Sequence, residues 1–190
     1  MRTLYINEIV ETISCTHRFD KSKLIPINTS DVSNGVLYPT PYEETNKLKG
    51  QFKKTIKKHD ILFSEIRPAN RRFARVEIDD CEDYVVSTKL MVLRKYNEDV
   101  DLDYFYYFLT NQSFLNILQR RAENRIGSFP QITFELLSEY RVPIPELDTQ
   151  KKIAQIIKCL DRKIALNRAL NHNLPIPDRS SEAAGVRRVA

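Results

Sequence analysis

The stretch VPIPELDTQKKIAQIIKCLDRKIALNRALNHNL, residues Val142–Leu174, joins two kinds of structure. Pro143 and Pro145 lack a backbone donor and fix φ, so the first four residues read as an extended exit from what precedes them. From Thr149, whose hydroxyl can cap a helix, to Leu174 there is neither glycine nor proline, and Pro175 ends the run. A helix over 149–174 is about 39 Å long at 1.5 Å per residue. Ile153, Ile157, Leu160 and Ile164 alternate by four and three, and the alternation continues through Asn167, Asn171 and Leu174. This pattern is a coiled-coil seam holding two asparagines, which cost stability but fix register and partner. The competing reading lays the helix flat on its own domain. The length of the stripe favours the seam, since little sequence remains to cover it.

Upstream the chain changes period. Leu4, Ile6, Ile9 and Val10 suggest a strand or short helix near the start, and Asn34-Gly35 is a strong turn signal. Pro39 and Pro41 hold VLYPTPY extended. Ile61-Leu62-Phe63 reads as a buried strand, and FARVEI (73–78) and YVVSTKLMVLR (84–94) are rich in β-favouring residues. Leu102, Phe105, Phe108, Leu109, Phe114, Leu115 and Leu118 then recur at helical intervals. The aromatics at 104–108 are read as that helix's buried stripe rather than a base-stacking platform. A short helix is expected from near Thr133. The fold class is therefore α+β: a β-rich mixed globular domain over 1–148, a long coiled-coil-type helix over 149–174, and a tail over 175–190 that is disordered or a non-native addition.

The net charge of +5 is unevenly placed. From Lys47 to Arg75 there are ten Lys and Arg against Asp60 and Glu65, whereas Val76 to Asp103 holds nine Asp and Glu against Lys89, Arg94 and Lys95. A basic block suits a polyanion, because neutralising phosphates releases counterions. A solvated lysine face is the plainer explanation for KKTIKK alone. The arginines after the apolar strand ask for more, since their forks suit bidentate contact with phosphate or guanine.

Several chemistries are disfavoured. The four glycines, Gly35, Gly50, Gly127 and Gly185, lie too far apart for a phosphate-cradling loop, so no nucleotide cofactor is expected. His17, His59 and His172 are dispersed, and Cys15, Cys81 and Cys159 give neither a disulfide framework nor ligand spacing for a metal. EIDDCED (77–83) with Lys89 could serve a metal-dependent nuclease, but it reads better as a solvated turn. No apolar run approaches the ~18 residues of a membrane span, and no signal segment opens the chain. A cytoplasmic location is expected, with binding rather than catalysis as the task.

INTSDVSNG (27–35), DILFSEIRP (60–68), VVSTKLMVLR (85–94), GSFPQITFELL (127–137) and the opening stretch occur in an order that resembles the specificity subunit of Type I restriction–modification systems. The most specific part is the Pro-x-Pro exit followed by Gln150 and the Asp161, Lys163-Ile164, Asn167 spacing. The resemblance implies a non-catalytic subunit that reads double-stranded DNA for methyltransferase subunits and, through them, restriction subunits. It also implies a target-recognition domain followed by a helix that acts as spacer and methyltransferase dock. Family members carry two such domains; one is present here, so a half-length subunit or a fragment is expected, and the former could dimerise through its helix.

The predicted base-reading residues are Ser64, Arg67, Asn70, Arg71 and Arg72, with Lys47, Lys49, Lys53, Lys54, Lys57 and Lys58 on phosphates. Arg125, Ser128 and Gln131 form a second candidate cluster. Some arginines could instead pair with the 77–83 carboxylates. The predicted helix interface is Ile153, Ile157, Leu160, Ile164, Asn167 and Asn171. Two other classes remain: a stand-alone DNA-binding regulator and the small nuclease.

Overall fold

The computed structural model describes residues 2–38, 40–124 and 130–173, with side chains followed through residue 170. The elements run β1 (Arg2–Tyr5), β2 (Val10–Thr12), β3 (Lys23–Ile27), β4 (Val32–Ser33), β5 (Val36–Leu37), β6 (Glu43–Glu44), β7 (Phe52–Lys54), β8 (Ile61–Ser64), β9 (Phe73–Arg75), β10 (Tyr84–Ser87) and β11 (Leu90–Lys95). Then follow α1 (Leu102–Thr110), α2 (Gln112–Glu123), α3 (Phe134–Ser138), β12 (Arg141–Ile144) and α4 (Leu147–Asn173).

Two four-stranded sheets dominate the described residues. One has the order β2-β11-β8-β9 and is antiparallel, with Phe63 opposite both Phe73 and Met91. The other has the order β6-β3-β10-β7 and contains the parallel pair β3–β10. The β-rich 84–94 segment is two strands, because a turn at Thr88-Lys89 carries the chain from one sheet to the other. β12 pairs with β1, so the Pro-x-Pro exit closes against the start of the chain.

Alternation along β8 explains its unbroken apolar composition. Ile61 and Phe63 enter a core built with Phe105, Leu109, Leu115 and Leu118 from the helices, while Leu62 enters a second core with Val76, Val86 and Val92. Full burial of each such side chain stabilises by about 1.5–3 kcal/mol. Asp60 anchors the start of the strand at 1% exposure, taking a bidentate pair from Arg94 Nε and Nη2 at 2.8 and 2.7 Å and the Lys57 amide at 2.7 Å. Removing one partner of such a buried pair costs about 3–5 kcal/mol.

The helical run after Arg94 breaks at Asn111. That residue is extended, ends α1, and caps α2 by accepting from the Phe114 amide at 2.8 Å. α4 starts at Leu147, two residues before the expected cap, so Thr149 lies inside the first turn. Gln150, in the same turn, is fully buried. Its Oε1 accepts from the Asp101 amide at 2.8 Å, and its Nε2 donates to the carbonyls of Asp99 and Pro145, both at 2.9 Å.

The chain divides into two units, Met1–Ala154 and Gln155–Ala190. Of the second, the described residues are the remainder of α4, along which Ile156, Leu160, Ile164, Asn167, Leu166 and Leu170 are exposed and Ile157 is half-buried. Asn171 is helical, with its side chain outside the described set, and the 175–190 tail lies outside the described residues. Among the described residues, no helix is long and apolar enough to cross a membrane.

Candidate nucleic-acid interface

The loop from Glu65 to Arg72 joins β8 to β9. Ser64 starts it, but not as a reading residue: at 3% exposure its Oγ accepts from the Ile66 amide and donates to the Ile66 carbonyl, while its own amide donates to Arg72 at 2.9 Å. A strand end placed in the core needs its hydroxyl satisfied locally, which removes Ser64 from the predicted set.

Inside the loop, Pro68 opens a single 3-10 turn, Pro68–Asn70, and the residues flanking that turn are both left-handed, Arg67 at φ 47° and Arg71 at φ 54°. Each non-glycine residue in that region costs of order 1–3 kcal/mol and persists only where its surroundings hold it. Three neighbours do so. The 130–132 segment pairs antiparallel with the loop, through Ile132 N–H to the Glu65 carbonyl at 2.8 Å and Arg67 N–H to the Pro130 carbonyl at 3.0 Å. α2 accepts the Ala69 amide on Gln119 Oε1 at 3.1 Å. The β4–β5 hairpin donates the Asn34 amide to the Arg71 carbonyl at 2.8 Å and accepts Arg71 Nε on Asn34 Oδ1. That hairpin turns at Asn34 (φ 49°) and Gly35 (φ 84°); a Cβ on Gly35 would be strained at this φ and would fall 2.8 Å from the Tyr106 hydroxyl, forcing a shift.

The arginines of this loop are held by neutral groups. Arg71 donates from Nε to Asn34 and from Nη1 to Gln112 Oε1 at 2.6 Å, and its guanidinium lies 5.4 Å over the Phe73 ring. Three of its five N–H donors remain. Arg72 Nη1 donates to the Ser30 and Val32 carbonyls at 3.2 and 3.3 Å. Arg67 and Asn70 are exposed, with no side-chain partner among the described residues. None of these three arginines forms an ion pair among the described residues. Arg75 differs: it pairs with Glu77 and Asp103, the fate raised for arginines near the acidic stretch.

Not all of the predicted lysines share a surface with this loop. Lys57 and Lys58 precede β8 and therefore lie at the opposite end of the strand, beside a separate cleft of about 760 Å³ shared with Cys15, Arg18, Asp79 and Glu82. Lys58 pairs with Asp79, which raises the ammonium above its ordinary value. Lys54 turns to the carbonyls of Thr88 and Leu90 at 3.2 and 2.8 Å, and burial pushes it below its ordinary value. It thus braces the β10–β11 turn instead of offering a phosphate contact. Lys53, Lys47 and Lys49 are exposed, the first and last without a side-chain partner among the described residues and Lys47 bridged to Glu44. Gln131 is exposed and donates to Glu65 at 2.8 Å; Arg125 and Ser128 lie outside the described residues.

Four of the five 77–83 carboxylates pair with cations, Glu77 with Arg75, Asp79 with Lys58, and Glu82 and Asp83 both with Lys21, while Asp80 accepts from the Glu82 amide at 3.1 Å. Among the described residues no group of three or more His, Cys, Asp or Glu could hold a metal ion. Asn34, Gln112 and Gln119, which brace the arginine loop, were not predicted. The signal was present: Gln112, Asn116, Gln119 and Glu123 recur at helical spacing, hydrogen bond in pairs at 2.8 and 2.7 Å, and form a polar row on α2.

The architecture has known counterparts. The HsdS subunit from Thermoanaerobacter tengcongensis superposes with a TM-score of 0.74 at 20% identity, covering 89% of this chain and 44% of that one. The Type I restriction–modification S subunit from M. genitalium gives 0.56 at 15% identity over 88% of this chain and 41% of that chain. In sequence, the specificity subunit of the Type I restriction enzyme HindI from Haemophilus influenzae is 40% identical over 172 residues, 89% of this chain; the chain spans only 37% of that relative's length. The profile of the Type I restriction modification DNA specificity domain matches residues 6–175. With that profile covering nearly all of the described structure, the chain belongs to the family of Type I restriction modification DNA specificity domains.

Proposed function

We propose that this chain reads one half of a bipartite double-stranded DNA site, as a target-recognition domain of a Type I specificity subunit in the cytoplasm. The reading surface is the loop with Arg67, Asn70, Arg71 and Arg72. The observation that carries the proposal is a braced loop bearing three guanidinium groups without an ion pair among the described residues, those of Arg71 and Arg72 held by neutral acceptors. Buttressed arginines of this kind suit base edges, which demand placement within about half an ångström. Asn70 can fork onto adenine.

The chain itself is not catalytic in this reading. It directs methyltransferase subunits, and through them restriction subunits, to the site. α4 serves as the docking and spacing rod, paired along Ile153, Ile157, Leu160, Ile164, Asn167 and Asn171 with a second copy or a second helix of a longer subunit. The test combines the protein with its cognate methyltransferase subunit and maps methylated bases on genomic DNA. Methylation confined to one sequence motif is expected. Absence of any co-purifying methyltransferase, with DNA binding intact, would favour a stand-alone regulator.

A further inference from the structure

One group in the reading loop has the wrong sign for a phosphate. Glu65 stands directly after β8 and two residues before Arg67. Its backbone is fixed on both sides, by its amide to the Lys89 carbonyl at 3.3 Å and by its carbonyl to the Ile132 amide at 2.8 Å. The side chain is half-buried. Its Oε2 accepts from Gln131 Nε2 at 2.8 Å, and no lysine or arginine among the described residues bridges it. Its direct partner is an amide, which orients the carboxylate, and the Lys54 ammonium acts on it through space without an ion pair.

A carboxylate without an ion-pair partner, on a surface that meets DNA, repels phosphate oxygens and the acceptor-rich edges of guanine and thymine. It gains only from a donor. In the major groove the donors are the exocyclic amino groups, and a carboxylate is the natural acceptor for cytosine N4. Resting on the DNA-reading proposal above, we propose that Glu65, oriented by Gln131, is a specificity-determining residue that selects cytosine at one position of the half-site. Its negative charge rejects guanine and thymine there. Part of the discrimination is thus repulsive: Glu65 lowers affinity for wrong sequences more than it raises affinity for the right one. Gln131 acts as a positioning residue, because it touches Glu65 and leaves its own Oε1 available.

The test selects binders from a randomised duplex pool with the full chain, then repeats the selection with Glu65→Gln and Gln131→Leu. Glu65→Gln keeps the shape and the partner but replaces an acceptor-only group with a neutral donor and acceptor. The expected result is one position losing its cytosine preference by about 5- to 150-fold, with every other position unchanged and overall affinity equal or higher. Gln131→Leu should weaken the preference at that same position while the carboxylate remains. If Glu65→Gln lowers affinity equally for all sequences, or leaves every positional preference intact, Glu65 is a structural residue and the inference is overturned. Should the unmodified chain select no motif at all, it is the DNA-reading proposal that fails, and the two failures are told apart by the wild-type selection.

Discussion

Arg71 and Gln112 are joined by a hydrogen bond of 2.6 Å from the guanidinium Nη1 to the amide Oε1, which ties the arginine loop to the first residue of α2. The bond orients a cation without cancelling it, so its two ends have different consequences for DNA binding. Gln112→Ala should weaken sequence-specific binding by about 1 kcal/mol and leave the slope of log affinity against log salt unchanged. Replacing Arg71 and Arg72 together by alanine should weaken it by about 1–3 kcal/mol per lost base contact and flatten that slope. Titrations at several salt concentrations separate the cases, and equal slopes for all three proteins would remove Arg71 and Arg72 from the interface.

Gln150 fastens the start of α4 to the loop before α1 through three backbone groups. Gln150→Leu fills the volume but leaves the Asp101 amide and the Asp99 and Pro145 carbonyls without partners. A loss of about 2–4 kcal/mol is expected from chemical denaturation, within the range for stranding buried polar groups. Stability within 0.5 kcal/mol of wild type would show that water replaces the amide.

Asp83 is held below the ordinary carboxylate range of 3.8 by the Lys21 ammonium, assisted by the Tyr42 hydroxyl. A depressed folded-state value means that the carboxylate contributes stability above the unfolded value and loses it as pH falls through the folded one. The stability gap between wild type and Asp83→Asn should therefore be constant from pH 7 to about 5 and close below 3.8. Thermal melts across pH 2–7 measure it, and a gap that widens in acid contradicts the assignment.

Along α4, Leu160 is 53% exposed and Leu166 and Leu170 are 61% and 55% exposed. Leu160→Asp should leave the thermal stability of the chain within about 0.5 kcal/mol, as for other exposed positions, while lowering the association measured by sedimentation. Asn167→Leu should change partner number or orientation, since an interior asparagine selects register. Monomeric behaviour of wild type and both variants, also with methyltransferase present, would exclude the helix as an interface.

Much of this architecture could be read from residue types. The run Ile61-Leu62-Phe63 is a strand buried on both faces, and the long glycine-free stretch is a helix. Other features were hidden by physics that acts between segments. A one-residue break at Asn111 leaves the spacing from Leu109 to Phe114 looking helical, because an extended residue barely disturbs a stripe with a period near 3.6. Ser64 and Lys54 have the composition of DNA contacts, and only tertiary placement shows that they satisfy backbone groups. Likewise Leu166 and Leu170 fall outside the predicted seam, yet they are as exposed as Leu160. The arginine loop is shaped locally by proline and two left-handed residues, whereas the braces Asn34 and Gln112 come from segments 37 and 41 residues away.

The division of labour within the loop bears on how such a protein acquires a new target. Asn34, Gln112 and Gln119 hold the frame from behind, while Arg67 and Asn70 carry no internal duty for their side chains. In the proposed DNA-reading role, exchange of the Asn70 side chain alters the preferred motif at little cost to folding, whereas Arg67, at φ 47°, accepts only residues that tolerate a left-handed backbone.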